Sequence, residues 1–201
     1  MAGGQVVGPV PPGRDPDAYD RLRRRLLWAL PTGLYVLGSR AGTRRNLMTI
    51  SWVTQVAVDP KLVAVSIESA SVTRELVDEG GAFALTVLPR EERALVRRFV
   101  KPADRVEVDD EGRGTIQGEP VVAAPSGVPV LAAAAIWFDC RVAERMALGS
   151  HVLYAGQVVD CGLGAPGTAG DGDDTGGRAT DDGAGAGDIL RMEDTRMNYG
   201  G

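Results

Sequence analysis

Arg44-Arg45-Asn46-Leu47-Met48-Thr49-Ile50-Ser51-Trp52-Val53-Thr54-Gln55-Val56-Ala57-Val58-Asp59-Pro60 is the stretch around which the rest of the chain is arranged. Two basic residues and an Asn lead into a strand-like run. In it Thr49 and Ser51 fall on one side and Met48, Ile50 and Trp52 on the other, the two-residue period of a strand. A row of hydroxyl and backbone donors beside a large aromatic suits a flat, heteroatom-rich ligand better than a dry core, where each buried hydroxyl needs a partner. The plainer alternative is an ordinary sheet strand with its Ser and Thr turned to water.

Working outward, the 201 residues allow one domain with a real core plus tails. We expect a disordered tail over residues 1–14 and a folded domain over 15–201. A net charge of -5 and a sequence pI near 5.0 lack the electrostatic footprint of a nucleic-acid binder. No membrane or export signal is visible. Met1 to Asp20 has no hydrophobic core, and the longest apolar run, Val128 to Phe138, is short and interrupted by Pro129, so the cytoplasm is the default. Cys140 and Cys161 have neither a CxxC spacing nor a neighbouring His, which argues against a disulfide framework or a zinc site and predicts two buried small hydrophobes. No metal ligands are expected.

Before the central stretch, Asp15 caps a helix with Pro16 at its first position. Its inner face is expected to be Tyr19, Leu22, Leu26 and Leu30, and Pro31 ends it. Arg21, Arg23, Arg24 and Arg25 read as a solvated outer face, with a phosphate or dinucleotide contact as the sharper alternative. Strands are predicted at Leu34 to Ser39, Leu47 to Val58 and Leu62 to Ile67. The turn signals Arg40-Ala41-Gly42-Thr43 and Asp59-Pro60-Lys61 between them imply an antiparallel meander.

Beyond it, a helix from Val72 to Glu79 should stop at Gly80-Gly81, followed by a strand from Ala82 to Leu88. Pro89 to Val100 reads as an amphipathic helix with Leu95, Val96 and Phe99 inward. Lys101 to Glu119 reads as an irregular segment of the length that often forms a lid or binding loop. Ala134 to Met146 and His151 to Cys161 form a strand pair across Ala147-Leu148-Gly149-Ser150. Residues 164–187 are low-complexity and lack the apolar content to fold, so they read as a flexible insertion, and Ile189 to Met192 as a last strand. Many short strands, few helices and no βαβ alternation predict a mostly β fold, a closed or nearly closed antiparallel barrel with peripheral helices. GxxxxGK[ST] and a strand-linked GxGxxG are both absent.

Besides the central stretch, three places could bind or react. Ser69-Ala70-Ser71-Val72-Thr73-Arg74 gathers hydroxyls and an Arg at a predicted helix N-terminus, a natural anion site, although capping by Ser71 alone would account for it. Gly149-Ser150-His151 carries the chain's single histidine, a candidate donor or proton relay or else a structural hydrogen-bonder. Nothing supports a hydrolytic triad. Thr86 is a polar position in the apolar strand Phe83-Ala84-Leu85-Thr86-Val87-Leu88.

Jointly these motifs resemble the flavin reductase-like proteins of the FMN-binding split-barrel fold. The likeness runs through Leu30-Pro31-Thr32-Gly33, Asn46 to Trp52, Asp59-Pro60, Ser71-Val72-Thr73, Gly80 to Leu88, Gly127-Val128-Pro129-Val130-Leu131, Gly149-Ser150-His151 and Gly156-Gln157-Val158, about residues 26–162. The resemblance implies a homodimer with flavin near the subunit interface. By it Asn46, Met48, Thr49, Ile50, Ser51 and Trp52 line the isoalloxazine and ribityl chain. Ser69, Ser71 and Thr73, with Arg74, hold the phosphate, and His151 lies beside the nicotinamide. Two positions depart from the pattern: Ser150 stands where the family usually has Asp, and Thr86, a further flavin contact, where Asn is frequent. The function implied is an NAD(P)H-dependent flavin reductase, using FMN or FAD with NADH or NADPH and able to supply a partner monooxygenase. An FMN-binding electron carrier with no nicotinamide site of its own is the alternative. A split-barrel relative holding haem, a pyridoxal-type phosphate or nothing is a third reading, disfavoured for haem by the single His.

Overall fold

In the computed structural model, which describes residues 8–167 and 189–195, the central stretch is two strands rather than one. Strand β1 (Tyr35–Ala41) pairs with β2 (Arg44–Ile50), and β3 (Val53–Val58) pairs with β4 (Lys61–Glu68), but β2 and β3 do not pair. Ser51 and Trp52 break the run, and their carbonyls accept from the amides of Val53 and Ser66 at 3.0 and 3.1 Å. The expected meander is thereby corrected, because apolar patterning specifies extended backbone without specifying which strand it lies beside.

The remaining strands are β5 (Ala82–Val87), β6 (Val106–Val108), β7 (Gly114–Ile116), β8 (Glu119–Ala123), β9 (Pro129–Leu131), β10 (Ile136–Leu148) and β11 (His151–Leu163). The main sheet is antiparallel throughout, in the order β2-β1-β5-β10-β11-β4-β3. Its two edge strands are consecutive in the chain, and no ladder joins them, so the pairing leaves the sheet open between β2 and β3 where a closed barrel was one expectation. A second sheet, β6-β7-β8-β9, takes in much of Lys101 to Glu119, which is therefore not the irregular lid its charges implied. Among the described residues the fold is mostly β, with two antiparallel sheets and two α-helices.

Helix α1 (Pro16–Trp28) starts as expected, with the Asp15 carboxylate accepting from Ala18 N at 2.8 Å. Its apolar stripe is not an inner face, however. No residue of α1 is buried, and Leu22, Leu26 and Leu30 are 40, 60 and 62% exposed. Periodicity reports which side of a helix is apolar, not what covers it. Helix α2 (Val72–Gly80) ends where the glycines indicated: Gly81 adopts the left-handed conformation at φ 67° and donates to Val77 O. Between Pro89 and Val100 the chain makes 3-10 turns at Arg90–Glu92 and Leu95–Phe99 in place of one helix, yet Leu95, Val96 and Phe99 are buried as the spacing required.

The core has two main parts. Leu37, Ile50, Val65, Ile67, Val77, Phe83, Leu85, Cys140 and Tyr154 pack on one side of the main sheet with α2. Leu47, Leu88, Val96, Phe99, Ile116, Val121 and Leu131 join it to the second sheet. Cys140 is buried and its thiol is pushed up to about 12 by burial and by the neighbouring Asp139, whereas Cys161, near the end of β11, is exposed and not the buried hydrophobe expected. Ile189 and Arg191 make only isolated bridges, to Pro89 and Gly33, instead of a last strand. Of the expected disordered tail over residues 1–14 and flexible insertion over 164–187, residues 1–7 and 168–187 lie outside the described residues. Among the described residues no helix is long and apolar enough to cross a membrane.

Candidate functional site

At one end of the sheet three pieces of chain converge: the Ser51-Trp52 break, the end of β4 running into α2, and the tip of the β10–β11 hairpin. Leu148 and His151 face each other across a two-residue turn, Gly149-Ser150, in which Gly149 has φ 73°. His151 in turn is the register partner of Glu68. This carries the imidazole to Trp52, with ring centroids 4.8 Å apart and planes tilted by 57°. Ser150 Oγ lies 2.9 Å from His151 Nδ1. Trp52 is 41% exposed, so the pair presents an aromatic surface to solvent.

The segment leading into α2 is fastened to this hairpin tip. Ser69 N donates to Ser150 O at 2.9 Å and Ser69 Oγ to Gly149 O at 3.0 Å. Ser71 is the N-cap: its hydroxyl accepts from Arg74 N at 3.2 Å and donates to Glu68 O at 2.8 Å. The amides of Val72 and Thr73 precede the first helical carbonyl they could reach, and they point with the helix dipole toward the N-terminus. Arg74 folds back so that Nε donates to Ser69 O at 2.9 Å and Nη1 to Asp78 at 2.9 Å.

Beneath these groups Asn46 ties β2 to α2. Its Nδ2 donates to Thr73 Oγ1 at 2.8 Å, and its Oδ1 accepts from Ala103 N at 2.9 Å. Trp52, Ser69, Ser71, Thr73, Arg74, Asn46 and His151 are thus brought into one region. The other expected residues are buried or half-buried. Thr49 is buried and donates to Val96 O, Ile50 lies in the core, and Met48 and Ser51 are half-buried and buried respectively. Thr86 is 1% exposed with its hydroxyl accepting from Leu131 N at 3.3 Å, so its polarity serves the junction with β9.

Residue reasoning missed the carboxylate of Asp78. It accepts from Arg74, from Arg145 Nη1 at 2.8 Å and from the hydroxyl of Tyr154, a fully buried residue, at 2.8 Å. Burial pushes this carboxyl up, but the hydrogen bonds from Tyr154, Arg145 and Arg74 outweigh it and hold it below its ordinary value. The one visible signal was the Arg74/Asp78 spacing of four on a helix. A largely apolar cavity of about 420 Å³ lies elsewhere, lined by Tyr35, Val53, Leu62, Leu85, Phe138 and Val158. It sits toward the Leu62 end of β4, away from the Glu68 end that meets His151. Among the described residues no group of three or more His, Cys, Asp or Glu is placed to hold a metal ion.

The flavin reductase like domain family matches residues 27–171. The chain belongs to the flavin reductase-like family. It is similar to the NADH-dependent FMN reductase AsuE2 of Streptomyces nodosus subsp. asukaensis, 36% identical over 135 residues that make up 67% of this chain and 70% of the relative. It also resembles putative diflavin flavoprotein A 1 of Nostoc sp. (28% identity over 137 residues, 65% of this chain), of which it spans only 22%. Among solved structures, the styrene monooxygenase flavin reductase of Pseudomonas putida S12 superposes with a TM-score of 0.58 at 26% identity, covering 71% of this chain and 87% of that one.

Proposed function

We propose that the protein is an NADH-dependent flavin reductase with FMN as its flavin, that its open sheet is a split barrel, and that it works in the cytoplasm as a homodimer with flavin near the subunit interface. The observation that carries the reading is the Trp52–His151 pair beside the α2 N-terminus in a chain of this family. A name such as that of AsuE2 supports FMN and NADH as the pair of substrates. Similarity to the reductase of a styrene monooxygenase supports delivery of reduced flavin to a separate oxygenase.

The α2 N-terminus and Arg74 suit a phosphate, since free amide donors, the positive end of the helix dipole and a guanidinium converge there. FMN and NADH supply the hydride chemistry themselves when bound. The chain's own task is to position and to shield. Trp52 and His151 offer a ring surface on which a flat heterocycle stacks, and Ser150 occupies His151 Nδ1 so that Nε2 is the nitrogen left to meet the nicotinamide. Backbone amides along Asn46 to Trp52 are the donors that would stabilise negative charge developing on the flavin.

Mixing the protein with FMN and NADH in the absence of oxygen should bleach the yellow flavin band; a band that persists would remove the reading. His151→Ala should raise the KM for NADH by about tenfold, as expected for loss of one positioning contact, while leaving FMN affinity unchanged. An unaltered KM would favour an electron carrier fed by a protein partner.

A further inference from the structure

The groups around Asp78 form a closed circuit. Starting at Ser69, hydrogen bonds lead to the hairpin tip at Gly149 and Ser150. The hairpin strands then lead back through Arg145 on β10 and Tyr154 on β11 to the Asp78 carboxylate, and from Asp78 through Arg74 to Ser69 again. Tyr154 is buried and the side chains of Arg74 and Asp78 are 30 and 22% exposed, whereas that of Arg145 is 64% exposed and Gly149 and Ser150 at the hairpin tip are exposed. Tyr154 is fixed by the core around Val65 and Phe83, so the carboxylate it binds has a fixed address.

Arg74 spends two of its three nitrogens in this circuit, Nε on Ser69 and Nη1 on Asp78. Among the described residues its Nη2 has no partner. A long flexible side chain is thereby held at two of its three nitrogens, one of them on the carbonyl of Ser69 just ahead of the N-cap, with the Nη2 donors left over.

We propose that Asp78 is a positioning residue for binding the flavin's phosphate. Anchored by Tyr154, it holds the Arg74 guanidinium in place so that the remaining Nη2 edge meets a phosphate at the α2 N-terminus. This rests on the flavin reading above and deepens it by assigning the chain's preference for a phosphorylated flavin over riboflavin to a residue that touches neither. The carboxylate would otherwise repel a phosphate, and its position behind Arg74 turns it into a support. Preorganisation is the physical content: without Asp78 the guanidinium must be ordered by the phosphate itself.

The test compares FMN with riboflavin, which lacks only the phosphate, by titrating each into the full chain and following the quenching of flavin fluorescence. Wild type should bind FMN more tightly than riboflavin. Asp78→Asn, which keeps an oxygen for Tyr154, should lose roughly tenfold in FMN affinity with riboflavin affinity unchanged, the size expected for one charge-assisted contact. Arg74→Ala should lose the same preference, and the double variant should be no worse than Arg74→Ala alone. Arg145→Ala, which removes an exposed partner of the same carboxylate, should retain the wild-type preference. Equal losses for FMN and riboflavin in Asp78→Asn, or additive losses in the double variant, would overturn the positioning role while leaving the phosphate site standing. Equal affinity of wild type for both flavins would remove the phosphate site itself, and the proposal with it.

Discussion

Thr86 illustrates how a polar side chain can belong wholly to the architecture. It sits on β5 with its hydroxyl accepting the amide of Leu131, which would otherwise be a buried donor with nothing to bind. Thr86→Val keeps the shape and orphans that amide, so it should destabilise the fold by about 1–3 kcal/mol, measurable as a shift in urea midpoint, with FMN affinity unchanged. Asp78 makes a pH-dependent contribution of the opposite origin. Its folded value lies below the ordinary 3.8, so the stability from its hydrogen bonds is fully present above 3.8 and is lost as the pH falls through the folded value. Between pH 5 and pH 3 the urea midpoint of wild type should therefore fall more steeply than that of Asp78→Asn. Single residues with local partners were legible from the sequence, as Ser71 capping its own helix was. Thr86 was not, since its partner lies 45 residues away and nothing near it in the chain announces the contact.

At the level of elements, signals written in backbone chemistry held. Asp15-Pro16 opens α1, Gly81 closes α2, and Gly149-Ser150 turns the hairpin. Signals that depend on the surroundings did not. The apolar stripe of α1 has the spacing of a buried face and is uncovered, and Lys101 to Glu119 is charged yet contributes two strands, β6 and β7, because strands of three residues need little apolar content. Strand β1 shows why one small residue is needed: a Cβ on Gly38 would lie 2.0 Å from Pro129 O, so β1 and β9 approach as closely as they do only over a hydrogen atom. Gly38→Ala should force the two sheets apart, lowering stability by roughly 1–3 kcal/mol or more, which thermal denaturation would register.

For the molecule as a whole, the candidate site takes its residues from three separate places: positions 46–52, 69–74 and 149–151. Each triplet or run could be picked out in the sequence as suited to a ligand, and their order matched a family pattern. That Trp52 would face His151 follows only from the strand order, which puts β4 next to β11 and so brings Glu68 opposite His151. The carboxylate behind Arg74 stayed invisible for the same reason, since Arg145 and Tyr154 reach it from 67 and 76 residues away.

That strand order also dictates a sequence of events at the ribosome. Strands β10 and β11 lie between β5 and β4, so the main-sheet strands made before residue 136 form two pieces that no ladder joins, β2-β1-β5 and β4-β3, each with a bare edge waiting for the last long hairpin to emerge. The final hairpin acts as a keystone. A chain halted after Ala135 should stay non-native and self-associate, seen as sedimenting aggregates without near-ultraviolet dichroism, and a soluble, cooperatively melting fragment would show that the two halves need no such wedge.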